Sequence, residues 1–147
     1  MQTPNARETR RCTPTLADRL SMPVILSTMT SKPSPHPLSN SDYVSKTSAV
    51  LAGIESTIDR WLETDVIDVD THRTGGLLEL MFPDGSKIVL NTQPPLQELW
   101  LAARAGGFHF RWMGDCWRDT RDQREFFEAL SALASQQAGR PLKFEPA

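Results

Sequence analysis

The spacing of hydrophobic residues after residue 38 predicts a helix at each end of the chain's ordered part. From residue 41 to 63 apolar side chains recur every three or four positions, which predicts an amphipathic helix capped by Ser39 or Ser41. Its apolar stripe consists of Tyr43, Thr47, Val50, Ile54, Ile58 and Trp61 or Leu62. A second helix is predicted over 123–137, with a stop signal at Gly139 and Pro141. Leu142 and Phe144 then pack the tail against the core.

Between the helices, alternation of apolar and polar residues predicts five or six antiparallel strands. Ile67, Val69 and Thr71 alternate with two aspartates, so the first strand is half-buried and ends before a Gly-Gly turn. The following strands are predicted at 78–82, 87–91, 98–103 and 108–113, with an edge strand near 116–118. Two helices on one face leave the other face in water. We therefore expect an α+β fold, a two-layer sandwich with an antiparallel sheet.

Residues 1–38 have a different composition from the rest of the chain. They contain six prolines, ten Ser or Thr and five basic residues against two acids, without sustained periodicity. This composition predicts a disordered N-terminal extension at 1–38, followed by one domain at 39–147. It also suits a mitochondrial presequence, although the prolines would interrupt the amphipathic helix of such a signal. The alternative is a dispensable extension, with Met22 or Met29 as the start. We expect a cytoplasmic protein, or a mitochondrial one if the extension is a transit peptide.

Composition excludes several functional classes. Cys12 and Cys116 lie far apart and outside any CxxC pattern, so neither a zinc knuckle nor a disulfide framework is predicted. No apolar run approaches the roughly 20 residues of a membrane span. The formal net charge of −2 argues against nucleic-acid binding, which needs concentrated Lys and Arg.

Negative charge is concentrated in residues 39–70, where seven acids face two bases, a net of −5, whereas 71–147 has nine of each. On the first helix, acids at i, i+4 and i+8 share one exposed row that continues through the turn into the first strand. We call this set the acidic ridge: Glu55, Asp59, Glu63, Asp65, Asp68 and Asp70. An open carboxylate row can bind Fe²⁺, Fe³⁺, Mn²⁺ or Ca²⁺ weakly and without fixed geometry. The alternative is a solvated face that keeps the protein soluble.

The remaining candidates are aromatic, histidine and cysteine side chains. Alternation puts Trp100 on the open face of the sheet near Asn91 and Gln93, where it would be an interface anchor. The alternative places Trp100 in the core with its two leucine neighbours outward. His72 joins the acidic ridge or is an ordinary surface histidine. A Cys-His dyad among His109, Asp115 and Cys116 would lack both an oxyanion hole and a group that orients the base.

Several segments are similar to those of the frataxin family, in particular its bacterial branch, and the likeness covers about 39–147. The segments are Ile67-Asp68-Val69-Asp70, Asp84-Gly85-Ser86-Lys87-Ile88, Asn91-Thr92-Gln93-Pro94-Pro95-Leu96, Leu99-Trp100-Leu101-Ala102, Gly106-Gly107-Phe108-His109-Phe110 and Gln136-Gln137-Ala138-Gly139. The pattern NxQxPxxxxWLA followed by a Gly-Gly turn is specific to this family. One departure is that Glu55 and Asp59 are followed by Ser56 and Arg60, where relatives have paired acids, so this ridge is thinner.

The resemblance implies a small non-catalytic protein that binds iron (Fe²⁺ or Fe³⁺) weakly and acts in iron-sulfur cluster assembly. The acidic ridge would hold iron and attach to a basic patch on a cysteine desulfurase. Asn91, Gln93 and Trp100 would contact the desulfurase complex and its scaffold protein. A monomer is expected, with iron-dependent oligomers as an alternative. Two other functions stay open: an iron oxidase or storage protein, and a metal-independent acidic interaction domain. A di-iron oxidase normally cages its metals with bridging Glu and ExxH pairs, which this row lacks.

Overall fold

The structure, a computed structural model, describes residues 36–146. Within this range the chain forms a helix, six strands and a second helix, the order predicted from the sequence. The elements are α1 (Asn40–Glu63), β1 (Asp70–Thr74), β2 (Leu77–Met81), β3 (Lys87–Gln93), β4 (Glu98–Ala103), β5 (Gly106–Trp112), β6 (Trp117–Asp119) and α2 (Phe126–Ala138), with a 3-10 turn at Pro94–Leu96.

The six strands form one antiparallel sheet in which each strand pairs with its neighbours in sequence. One face of the sheet is buried against both helices, and its core residues are Leu78, Leu80, Ile88, Leu90, Leu99, Leu101 and Phe110. The two-layer α+β architecture is therefore confirmed. The opposite face carries the alternate residues of the same strands, and we call it the open face. Its members include Leu77, Glu79, Val89, Asn91, Gln93, Glu98, Trp100, Ala102, His109 and Arg111.

Helix α1 begins where the sequence predicts, because the Ser39 side chain accepts a hydrogen bond from the Asp42 backbone N–H. Its buried stripe contains the predicted residues except at its C-terminal end, and Leu51 and Thr57, which were not predicted, are buried as well. Trp61 is 8% exposed and packs on Phe144, whereas Leu62 is 57% exposed. The buried row therefore continues through Trp61, and the assignment of Leu62 to it was wrong. The helical period of 3.6 residues brings position 61 under the stripe.

Two predicted boundaries move for identifiable reasons. Strand β1 begins at Asp70 rather than near Ile67, because Asp70 pairs with Met81, the last residue of β2, and no partner strand extends beyond it. Helix α2 begins at Phe126 rather than at 123, because the buried Glu125 side chain accepts hydrogen bonds from the Phe127 and Glu128 backbone N–H groups and caps the helix there. Burial raises the pKa of Glu125.

The first described residues lie against the domain. The His36 backbone N–H donates to the Trp112 carbonyl at 2.9 Å, and Leu38 exchanges two hydrogen bonds with the Gln97 side chain. Residues 1–35 of the extension predicted at 1–38, and with them the predicted presequence and internal start, lie outside the described residues, whereas residues 36–38 are described. None of the helices within 36–146 is long and apolar enough to cross a membrane.

Candidate metal-binding and partner-binding surfaces

The part of the acidic ridge that lies on α1 borders the edge strand β1. Arg73 of β1 donates from Nη1 to Glu55 Oε1 at 2.9 Å, and both side chains are about 70% buried, with 28% and 31% exposed. Arg73 lies on the helix side of the sheet, since it pairs with the core residue Leu78. The first carboxylate of the ridge is thus already neutralised by the chain itself.

The other five carboxylates of the ridge are exposed, and within residues 36–146 they form no side-chain hydrogen bond or ion pair. They are Asp59, Glu63, Asp65, Asp68 and Asp70. Asp65 adopts a left-handed backbone (φ 59°) at the C-terminal end of α1, where Asp is tolerated. Val69 is 5% exposed and anchors the segment, so the aspartates on either side of it point outward.

The ridge passes around the edge of the sheet rather than forming one cluster. Asp70 pairs with Met81 and faces the open side of β1, together with His72, whereas Glu55 meets β1 from the helix side. Among the described residues no three His, Cys, Asp or Glu side chains converge as a metal site. Such an arrangement offers oxygen ligands to a hard cation one or two at a time, which supports weak association only.

Trp100 lies on the open face. Its strand neighbours Leu99 and Leu101 are at most 1% exposed and belong to the core, so the interpretation with Trp100 in the core is wrong. The indole is half-buried. Asn91 pairs with it from β3 and His109 from β5, and the imidazole stacks on the indole at 4.2 Å between ring centroids, with the planes 5° apart.

A shallow depression of about 250 Å³ lies beside Trp100 on the open face. Its floor is mainly apolar and includes Leu77, Val89 and Ala102. Asn91 lines it as well, and within residues 36–146 neither Asn91 nor Gln93 uses its side chain in a hydrogen bond. The surface therefore combines a flat aromatic pair, an apolar floor and amides with unused donors and acceptors, as at protein–protein interfaces.

Glu98 is a buried acid on the open face. Its side chain is only 6% exposed. Oε1 accepts from Trp100 Nε1 at 2.7 Å, and Oε2 accepts from Arg111 Nε at 2.8 Å. His109 Nδ1 lies 3.6 Å from Oε1. Desolvation of this carboxylate is thus offset by donors on both of its oxygens.

Tyr43 supports the open face from the helix side. Its hydroxyl donates to the Glu98 carbonyl at 2.6 Å and accepts from the Gln93 backbone N–H at 2.9 Å. Burial raises the pKa of Tyr43. The phenol therefore stays protonated. Its two hydrogen bonds join the end of β3 to the start of β4, the two strands that carry the interface candidates.

The remaining candidates separate in the structure. His109 is half-exposed on the open face, opposite in direction to the core residue Phe110, as alternation predicts. Cys116 is 2% exposed and belongs to the buried residues. His72 is exposed in the middle of β1, and its imidazole is 3.4 Å from Thr74 Oγ1.

Leu77, Val89 and Glu98 also belong to this surface and were not predicted from the sequence. A signal for the first was present, because Leu77 and Leu78 are adjacent and cannot both face the core of one strand. Val89 similarly lies between two core residues. Glu98 gave no signal, because its burial depends on Arg111, which the register places directly opposite.

Comparison with known proteins gives a consistent assignment. Residues 36–140 match the family model described as a Frataxin-like domain. The chain is 49% identical over 107 residues to proteins named "Iron-sulfur cluster assembly protein CyaY" from Burkholderia mallei and Burkholderia pseudomallei, covering 73% of this chain and 98% of each relative.

Solved structures agree with the sequence match. A frataxin from Psychromonas ingrahamii, described within the CyaY protein family, superposes with a TM-score of 0.64 at 31% identity and covers 73% of this chain and 98% of that one. Yeast frataxin shares the fold, with a TM-score of 0.58 at 21% identity over 67% of this chain and 82% of its own. The family model spans the sheet and both helices described above. The chain belongs to the frataxin-like family.

Proposed function

We propose that this protein acts in iron-sulfur cluster assembly, as an iron-binding protein that regulates a cysteine desulfurase complex and has no catalytic activity of its own. The observation that carries the role is the 49% identity to assembly proteins over 98% of their length. Because that match covers nearly the whole length of each relative, we assign the role to the whole domain and not to one part of it. A cytoplasmic location belongs to the same proposal, and cell fractionation tests it.

Iron association is assigned to the acidic ridge. Five exposed carboxylates without a side-chain partner among residues 36–146 supply hard oxygen ligands, and their spread around the sheet edge favours loosely held ions. We expect a dissociation constant in the micromolar range or weaker, because exposed charges in water gain only about 1 kcal/mol per close contact.

Paramagnetic broadening of amide signals by ferrous iron tests this assignment. Loss of signals from about residue 55 to 70, with the open face unaffected, is the expected result. Broadening centred on His109 and Cys116 would contradict it. Magnesium, a diamagnetic divalent cation, controls for ionic strength.

Partner docking is assigned to both surfaces. The acidic ridge attaches to a basic patch on the desulfurase by charge, and the open face binds the scaffold protein through Asn91, Gln93 and Trp100. Half-exposed indoles beside apolar depressions are typical binding anchors.

A pull-down against a purified cysteine desulfurase, followed by the rate of sulfide release, tests the function itself. We expect capture of the desulfurase and an altered rate that depends on iron. Capture without any effect of iron would favour the metal-independent interaction domain. Oxygen consumption by the isolated protein with ferrous iron would favour the iron oxidase. Sedimentation with and without iron tests the expected monomer.

A further inference from the structure

Glu98 is unusual because it is a buried acid on the face of the sheet that looks toward solvent. Its side chain is 6% exposed, whereas its cross-strand neighbours His109 and Arg111 are 48% and 41% exposed. Burial of a carboxylate opposes folding unless donors compensate, and an apolar side chain often serves stability equally well. The position of Glu98 therefore suggests a role in organising its neighbours.

The carboxylate joins three side chains from two strands. Trp100 follows it two residues later on the same face of β4, and its Nε1 donates to Oε1 at 2.7 Å. Arg111 is directly opposite on β5 and donates to Oε2 at 2.8 Å. His109 Nδ1 lies 3.6 Å from Oε1 and its ring stacks on the indole. One acid thus contacts both members of the aromatic stack and the arginine beside it.

These contacts fix the direction of the indole. A half-buried indole N–H needs an acceptor, and without Glu98 it would find one by turning toward water. Turning would break the parallel stack with His109 and would alter the wall of the apolar depression, which both rings line. The Trp100 orientation therefore depends on the carboxylate as well as on the sheet.

We propose that Glu98 is a positioning residue that holds the Trp100–His109 stack in one orientation and so presents a preorganised surface to the scaffold protein. This inference rests on the proposed function, since it concerns the same docking face. Preorganisation strengthens binding because less side-chain freedom is lost when the complex forms.

Three variants separate positioning from general damage. Glu98→Ala removes both acceptors. Glu98→Gln keeps one amide oxygen for the Trp100 indole and is the conservative rescue, and it also serves if Glu98→Ala does not fold. Glu79→Ala is the matched control, because Glu79 lies on the same face and pairs with Lys87 at 3.3 Å, without a contact to Trp100 or His109 among the described residues.

The first measurement uses the protein alone. The indole Nε1–H resonance of Trp100 is assigned by its loss in Trp100→Phe. We expect Glu98→Ala to move this resonance toward that of a solvent-exposed indole and to remove the ring-current shift on the His109 ring protons. Glu98→Gln should move the indole resonance less, and Glu79→Ala should leave both signals in place. Unchanged signals in Glu98→Ala, or equal changes in all three variants, would overturn the proposal.

The second measurement is affinity for the purified scaffold protein. We expect Glu98→Ala to weaken binding about tenfold, Glu98→Gln by less, and Glu79→Ala by less than about twofold. Altered Trp100 signals together with unchanged affinity in Glu98→Ala would overturn the role in docking. If Trp100→Ala itself binds normally, the proposed docking face is wrong, whereas the resonance measurement still decides whether Glu98 positions the indole.

Discussion

Carboxylates have opposite surroundings in the acidic ridge and on the open face. Five ridge acids are exposed and form no side-chain hydrogen bond or ion pair within the described residues, whereas Glu98 is 6% exposed and has donors on both oxygens. Unpartnered charges attract over distance and adapt to a partner, but they fix no geometry. A buried acid with donors on both oxygens contributes little to the long-range electrostatic field, but it fixes the orientation of the side chains around it. One domain thus presents a charged surface for attraction and a shaped surface for fit.

The largest expected effect distinguishes a tryptophan of the core from Trp100 on the open face. Trp117 is 4% exposed and packs edge-on against Tyr43 and Trp112, so Trp117→Ala should cost about 3–5 kcal/mol of unfolding free energy. Trp100→Ala should lower the melting temperature by less than about 8 °C. It should weaken partner binding by about 30-fold, the equivalent of about 2 kcal/mol. Thermal melts and binding titrations of both variants check this.

A melting temperature that falls as far in Trp100→Ala as in Trp117→Ala would show that the indole is a core residue. The sharp contrast between open face and core would then be lost.

A smaller effect is expected within the ridge, because its members are not equivalent. Glu55 is neutralised by Arg73 at 2.9 Å, whereas Asp59 is exposed and has no ion-pair partner among residues 36–146. At low salt, Asp59→Asn should reduce the association rate with the desulfurase about threefold, and Glu55→Gln by less than about 1.5-fold. Stopped-flow binding measures both. Equal reductions would mean that the Arg73 pair does not remove Glu55 from the docking field.

The fold was largely predictable because burial and periodicity act locally. Alternation with Leu99 and Leu101 favoured the open face for Trp100, and the burial of both leucines confirms it. The contacts that could not be predicted depend on the register of the paired strands and on how α1 crosses the sheet. Arg73 reaches Glu55 across 18 residues because α1 passes the edge strand, and Glu98 is buried because β5 places Arg111 opposite it. The start of β1 was likewise set by the length of its partner, which ends at Met81.

The smallest effect concerns a third kind of carboxylate, exposed but partnered. Hydrogen bonds from Ser86 and then from Arg104 lower the pKa of Asp84 from 3.8 to about 2. Because the folded value lies below the unfolded one, the stabilisation is complete only above about pH 5 and is lost as the pH falls through the folded pKa of about 2. Urea unfolding of wild type and Asp84→Asn should therefore show a stability difference that shrinks between about pH 5 and pH 2. A stability difference that stays constant over this pH range would contradict the lowered pKa of Asp84.

The distinction between a surface for attraction and a surface for fit is tested most directly by binding kinetics at low and high salt. The samples are wild type, Asp59→Lys combined with Glu63→Lys, and Trp100→Ala, each with the purified desulfurase–scaffold complex. Screening shortens from about 10 Å at 0.1 M to about 3 Å at 1 M salt. The ridge variant should associate at least about tenfold more slowly at low salt and approach wild type at high salt. Trp100→Ala should dissociate faster at both. The account would be contradicted if the rate changes of the two variants depended equally on salt. It would also be contradicted if the ridge variant still associated as slowly, relative to wild type, at 1 M salt as at low salt.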